Sequence, residues 1–190
     1  MRTVIGSVLA LLLLIGSSVS AMAATSTEAT PAADDDTPAA ATTGDTNPVN
    51  PQIGDEVTLF ATNGDAIATV KVTDAVRNWE GYDDYQEPEA GTEYVALTIE
   101  IESTISRGAV EVSPYDFSLQ DGQSFLWSTA YATNEDSPKD VQVLSDTVQL
   151  AGGEKAEFLI VFQTYIDEPL QHVYWNPEKS LLTLADLSEI

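Results

Sequence analysis

The sequence contains no cysteine, a single histidine and only seven basic residues among 190. The first absence removes disulfides, thiolate nucleophiles and thiolate metal ligands together. One imidazole, His172, leaves a zinc or copper site short of the several nitrogen ligands it needs. A serine triad would have to use that same histidine, and the Gly-x-Ser-x-Gly elbow that would present its nucleophile does not occur. Glycine-rich phosphate loops leading into a helix are missing as well. No catalytic residue is assigned, and the chain reads as a non-enzyme. The six bases outside the N-terminus (Lys71, Arg77, Arg107, Lys139, Lys155 and Lys179) stand singly, and with Arg2 they face 31 Asp and Glu, for a formal net charge of −24. Nucleic acid is thereby excluded, because a polyanion needs clustered bases to displace its counterions. The acid excess favours cations, basic proteins or neutral ligands such as sugars, and keeps the chain soluble.

Long apolar runs are lacking too. The one stretch of note, residues 4–15, is broken by Gly6 and Ser7 and falls short of the roughly 20 apolar residues that span a bilayer. With Arg2 before it and Ala21-Met22-Ala23 after it, residues 1–23 have the three parts of a secretion signal. The expected location is secreted and extracellular, with no transmembrane span once the signal is removed; an uncleaved signal would instead tether the chain to the cell surface. Residues 24–50 are Thr, Ala, Pro, Asp and Ser with hardly a larger aliphatic side chain. Such a segment buries too little apolar surface to offset its ordering entropy, so a disordered, extended linker is expected.

Residues 51–190 suit one domain with one core. Their apolar residues alternate with a period of two. Val95, Leu97, Ile99 and Ile101 fall on one face of a strand, and Ala96, Thr98, Glu100 and Glu102 on the other. Ala68, Val70 and Val72 alternate likewise until the phase slips at Asp74, where a bulge or strand end is expected. The run Phe158 to Phe162 is apolar on both faces and reads as a central strand. Six further strands are expected at 56–60, 115–120, 124–127, 147–150, 172–175 and 181–184. Asn63-Gly64-Asp65, Asp121-Gly122 and Gly152-Gly153 supply turn residues that tolerate positive φ. Nine short strands with such turns indicate an all-β antiparallel sandwich. The Asp121-Gly122 hairpin leaves two registers open: a strict two-residue turn puts Leu126 on the face of Phe117 and Leu119, whereas a slipped one puts Phe125 and Trp127 there.

Several segments carry a family likeness. Glu93-Tyr94-Val95-Ala96-Leu97-Thr98-Ile99-Glu100-Ile101, Ser113-Pro114-Tyr115-Asp116-Phe117-Ser118-Leu119 with Asp121-Gly122, Leu150-Ala151-Gly152-Gly153-Glu154 before Phe158, and the opening Ile53-Gly54-Asp55 resemble the domain-of-unknown-function 4352 family. The resemblance spans about residues 52–176. It implies an immunoglobulin-like sandwich, bacterial and secreted or surface-attached, related in fold to a secreted bacterial antigen. Two departures stand out: Gly152-Gly153 replaces a Pro-Gly turn, and the lipid-bearing cysteine of many members is missing. The resemblance carries over no catalytic or binding residue.

The remaining chemistry concentrates in one acidic, aromatic stretch. Glu80, Asp83, Asp84, Glu87 and Glu89 crowd ten residues. Asp83, Asp84 and Glu87 are the candidate calcium ligands, although Tyr85 occupies the third position of what would be a calcium loop starting at Asp83. Paired carboxylates would also serve glycan hydrolysis. Trp79, Tyr82 and Tyr85 alternate with Gly81 and these acids, a mixture found in the binding loops of immunoglobulin-type domains. Two readings follow: a recognition loop for a sugar or basic protein, or rings tucked under the sandwich edge. The overall expectation is a monomeric, non-catalytic binding module whose partner is a protein or glycan at the cell exterior. A calcium-stabilised module and a carboxylate-dependent glycan hydrolase are the alternatives.

Overall fold

The computed structural model describes residues 47–137, 139–177 and 180–190. The signal and residues 24–46 of the linker lie outside the described residues. Ten strands occur among the described residues: β1 (Glu56–Phe60), β2 (Ala66–Val76), β3 (Thr92–Ser103), β4 (Ala109–Val112), β5 (Phe117–Asp121), β6 (Leu126–Ser128), β7 (Val148–Ala151), β8 (Lys155–Tyr165), β9 (Leu170–Trp175) and β10 (Leu182–Asp186). One sheet runs β1-β2-β3-β8, a second β10-β9-β5-β6, and β4 pairs with β7 as a two-stranded ribbon. Every ladder is antiparallel.

Alternation places the core. Val57, Val70, Val72, Leu97, Ile99, Ile101, Ile160 and Phe162 from the first sheet pack with Phe117, Leu119, Val173, Trp175 and Leu184 from the second. Trp175 is fully buried and stacks on Phe117 at 6.0 Å with the planes 13° apart. Its neighbour Tyr174 points to the opposite face, as strand geometry requires, and donates its hydroxyl to Gln120 at 2.8 Å. The register of β2 on β3 shifts between Val72 and Asp74, so the loss of phase at Asp74 is a bulge.

Three expectations are corrected. The strand β4 was missed: four residues with only Val110 and Val112 inward give a short signal, and pairing with β7 supplies the rest. The long apolar strand β8 is not central but last in its sheet. Both its faces are apolar because Ile160 and Phe162 face the core, whereas Val161 joins Tyr94, Ala96 and Ala132 in a second apolar cluster. Ala130 and Leu144 donate their N–H groups to the carbonyls of Val161 and Leu159 at 2.8 and 2.9 Å, so residues 129–130 and 142–144 lie along the open edge of β8. The third correction concerns Asp121-Gly122, where the positive φ belongs to neither residue but to Ser124, at 67°.

That placement settles the hairpin register. Leu119 faces Trp127 and Gln120 faces Leu126, which is the slipped pairing. The loop thus has three residues, 122–124, and ends on a left-handed one. Gly122 serves close approach instead: a Cβ there would lie 3.1 Å from the Pro169 Cβ, and its N–H donates to the Pro169 carbonyl at 2.7 Å. At the Gly152-Gly153 turn, Gly153 does take φ 79°, and a Cβ on Gly152 would fall 2.0 Å from the Ile105 carbonyl oxygen. Glycine at 152 is what lets residues 104–106 approach this turn.

Among the described residues, Asn47 and Asn50, ahead of position 51, already bond to the sandwich. The Asn47 side chain pairs with the backbone of Thr58 in both directions, at 2.8 and 2.7 Å, and Asn50 donates to Asp186 at 2.9 Å.

Candidate functional site

The acidic, aromatic loop leaves β2 at an ion pair. The buried Glu93 carboxylate takes the Arg77 guanidinium, accepts the Asn78 N–H at 3.1 Å and accepts the Asp167 N–H at 3.3 Å. Beyond it Trp79 and Tyr82 fold onto the outer face of the first sheet and meet Tyr94. The three ring centroids are 5.4 to 6.4 Å apart and the planes are inclined at 58° to 73°. Trp79 and Tyr82 are half-buried there against the second apolar cluster. Burial lifts the Tyr94 phenol above its usual 10.0, with Tyr82 and Glu89 adding to the effect.

Asp83 is part of the loop's own framework. Its Oδ2 accepts the Thr133 hydroxyl at 2.7 Å and the Glu135 N–H at 2.9 Å, and Oδ1 accepts the Asp136 N–H at 3.1 Å. The Thr133 hydroxyl bond, helped by the two amides, holds this carboxyl below its ordinary 3.8. Thr133 N–H donates in turn to Gln86 at 2.6 Å. Residues 83–86 and 133–136 are therefore knitted together. Asp84 and Glu87 are exposed, and among the described residues no three His, Cys, Asp or Glu side chains gather in a group able to hold a metal. Tyr85 differs from its neighbours: it is 100% exposed and sits at φ 86°, a region a bulky side chain occupies at a cost of order 1–3 kcal/mol.

A second site lies where the β5–β6 hairpin meets the β8–β9 turn. Phe125, Trp127 and Tyr165 line a hollow of about 350 Å³ with Asp121, Gln123 and Glu168. Phe125 and Tyr165 are 58% and 60% exposed. Each stands across Trp127, at 5.0 Å and 71° for Phe125 and at 5.3 Å and 88° for Tyr165. Trp127 and Tyr165 also bound a neighbouring hollow of about 490 Å³, which reaches Glu89, Tyr131 and Gln163. The walls are held from behind. Asp121, 3% exposed, accepts the N–H groups of Gln123 and Phe125 at 2.9 Å each and the Trp127 indole N–H at 3.0 Å. In the facing turn Glu168 N–H returns to the Tyr165 carbonyl at 3.2 Å, with Asp167 left-handed at φ 61°. Sequence reasoning did not assemble this group. The local signal was Phe125-Leu126-Trp127, three bulky residues in a row, which alternation divides between two faces without showing that Phe125 and Trp127 meet the β8–β9 turn.

His172 sits on the outer face of the second sheet, 3.4 Å from the same Gln120 oxygen that accepts from Tyr174.

Fold and aromatic edge together define an antiparallel, immunoglobulin-like sandwich with an open ring-lined hollow. MPT63, a secreted protein of Mycobacterium tuberculosis, has a similar structure, with a TM-score of 0.53 and 19% identity over 73% of this chain and 97% of that one. The candidate lipoprotein ycdA of Bacillus subtilis gives 0.48 at 15% identity, over 68% of this chain, and this chain spans only 37% of its length. The yjhA protein of the same species gives 0.49 at 12%, over 73% and 86% of the two chains. The mycobacterial likeness concerns the fold alone, and the Bacillus likenesses are weaker. No protein family matches the sequence, and no curated protein does. No helix among the described residues is long and apolar enough to cross a membrane.

Proposed function

We infer that the chain is an exported, monomeric, non-catalytic interaction module of the domain-of-unknown-function 4352 type, acting at the cell exterior on a spacer. The observation that carries this reading is the chemistry of the open hollow: three large rings on a framework fixed by the buried Asp121. Rings of this size bring contact area at low entropic cost, and a rigid support lowers the cost of binding further. Among the acids weighed for catalysis or calcium, Asp83 is occupied by three donors and Asp84 and Glu87 face solvent. The signal-like residues 1–23 and the spacer support export, and MPT63 is itself a secreted protein.

Capture from the native envelope and culture medium tests the reading, comparing the wild-type chain with a Phe125→Ser, Tyr165→Ala variant. A partner enriched by the wild type and lost with the variant is the expected result. Failure of the wild type to enrich any partner, or release of sugar from envelope glycans by the purified protein, overturns it.

A further inference from the structure

We propose that the hollow of Phe125, Trp127 and Tyr165 takes the cationic head of an arginine or lysine side chain presented by a basic partner protein. The proposal rests on the interaction-module reading and names the chemistry of its ligand. Three features of the lining agree. Aromatic faces attract cations through their quadrupole, and here three rings bound one space, two of them set nearly at right angles to the third. The charged residues lining that space are Asp121 and Glu168, with no base among them, and Glu89 borders the adjoining hollow. The hydrogen-bonding inventory is also one-sided. The indole N–H of Trp127, the donor best fixed in the wall, is already given to Asp121 at 3.0 Å. Glu168 has one long contact, to the Gln123 amide at 3.4 Å, and keeps lone pairs for a ligand.

A neutral sugar needs donors as well as acceptors from its site, and apart from the Tyr165 hydroxyl and the Gln123 amide the lining offers acceptors. A guanidinium or ammonium group is donor only, and matches. The volume of about 350 Å³ suits one such side chain and its stem. Beyond the hollow, a formal charge of −24 steers a basic protein towards the surface and repels an acidic one.

The test uses the full chain as secreted, ¹⁵N-labelled, titrated at fixed ionic strength with N-acetyl-arginine-N-methylamide and, separately, with methyl β-glucoside. The arginine probe is expected to move the Trp127 indole signal saturably and to leave those of Trp79 and Trp175 in place. Glu168→Gln, which keeps the shape of the turn, should weaken binding by about tenfold, as neutralising one member of a charge pair does. Glu80→Gln, an equal loss of charge at an exposed position elsewhere, should leave it unchanged. No shift at Trp127, equal affinity in Glu168→Gln, an equal loss in Glu80→Gln, or a stronger response to the glucoside each overturns the proposal. Envelope capture separates the two levels: a partner held equally well by wild type and Glu168→Gln removes this site but keeps the module, whereas no partner at all removes the module.

Discussion

The buried carboxylate of Asp121 accepts the indole N–H of Trp127 at 3.0 Å while its other oxygen closes the hairpin through Gln123 and Phe125. One side chain thus sets both the slipped register of β5–β6 and the pose of the central ring of the hollow. Replacing Asp121 by Ala removes the acceptor of three N–H groups, two of them in an exposed turn, at a cost of about 1–2 kcal/mol. Denaturant melts should record that loss, and the Trp127 indole proton should move upfield. Unchanged stability would mean that the hairpin holds itself.

Trp175 is the largest of the fully buried side chains. Its stacking on Phe117 joins β9 to β5 at the centre of the second sheet. Trp175→Ala should lower stability by about 3–5 kcal/mol, measured by urea denaturation, with Trp175→Phe recovering much of it.

At Gly152 the constraint is close approach rather than φ. A methyl group would lie 2.0 Å from the Ile105 carbonyl oxygen, so Gly152→Ala must push residues 104–106 away from the β7–β8 turn. A loss of about 1–3 kcal/mol is expected, and amide exchange should quicken at Ser103 and Thr104, which hydrogen-bond to Glu154 and Ile67.

In the acidic loop the two kinds of aromatic residue should behave oppositely. Trp79→Ala opens the cluster with Tyr82 and Tyr94 and should destabilise by about 1–3 kcal/mol. Tyr85→Gly relieves a left-handed backbone that carries a fully exposed ring, and should leave stability level or raise it by up to about 1 kcal/mol. Thermal melts of the two variants check both signs.

Acid should weaken one contact of the N-terminal attachment, that of Asn50 with Asp186. The Asn50 side chain, followed by the Ser188 amide and hydroxyl, holds the Asp186 carboxyl down to about 2, from an ordinary 3.8. Because the folded value is the depressed one, its contribution is present above the ordinary value and is lost as pH falls from about 4 towards 2. Carboxyl NMR titration should place the Asp186 midpoint near 2, and Asn50→Ala should raise it.

The alternation of β3 was legible because nothing interrupts it: Val95, Leu97, Ile99 and Ile101 are all fully buried. The bulge at Asp74 was legible for the same reason, as a break in a clean pattern. What local pattern could not carry was the far side of each strand. Ala96 and Val161 look solvent-facing or central according to what covers them, and part of the cover, Ala130, Ala132 and Val143, comes from a stretch with no periodicity of its own. The hollow was hidden likewise. Phe125 and Trp127 lie some 40 residues from Tyr165 and Glu168, and only the register set by a three-residue turn, with Gly122 against Pro169, brings them together.

The segment lying along β8 has one more consequence. An eleven-residue strand containing Phe158-Leu159-Ile160-Val161-Phe162 at the rim of a sheet is a template for intermolecular stacking into fibrils. Hydrogen bonds from Ala130 and Leu144, and from Leu159 to the Gln142 carbonyl at 2.9 Å, occupy that template with the chain's own backbone. A protein without covalent crosslinks thereby covers this adhesive stretch with its own chain, and variants that loosen residues 129–130 or 142–144 are expected to aggregate.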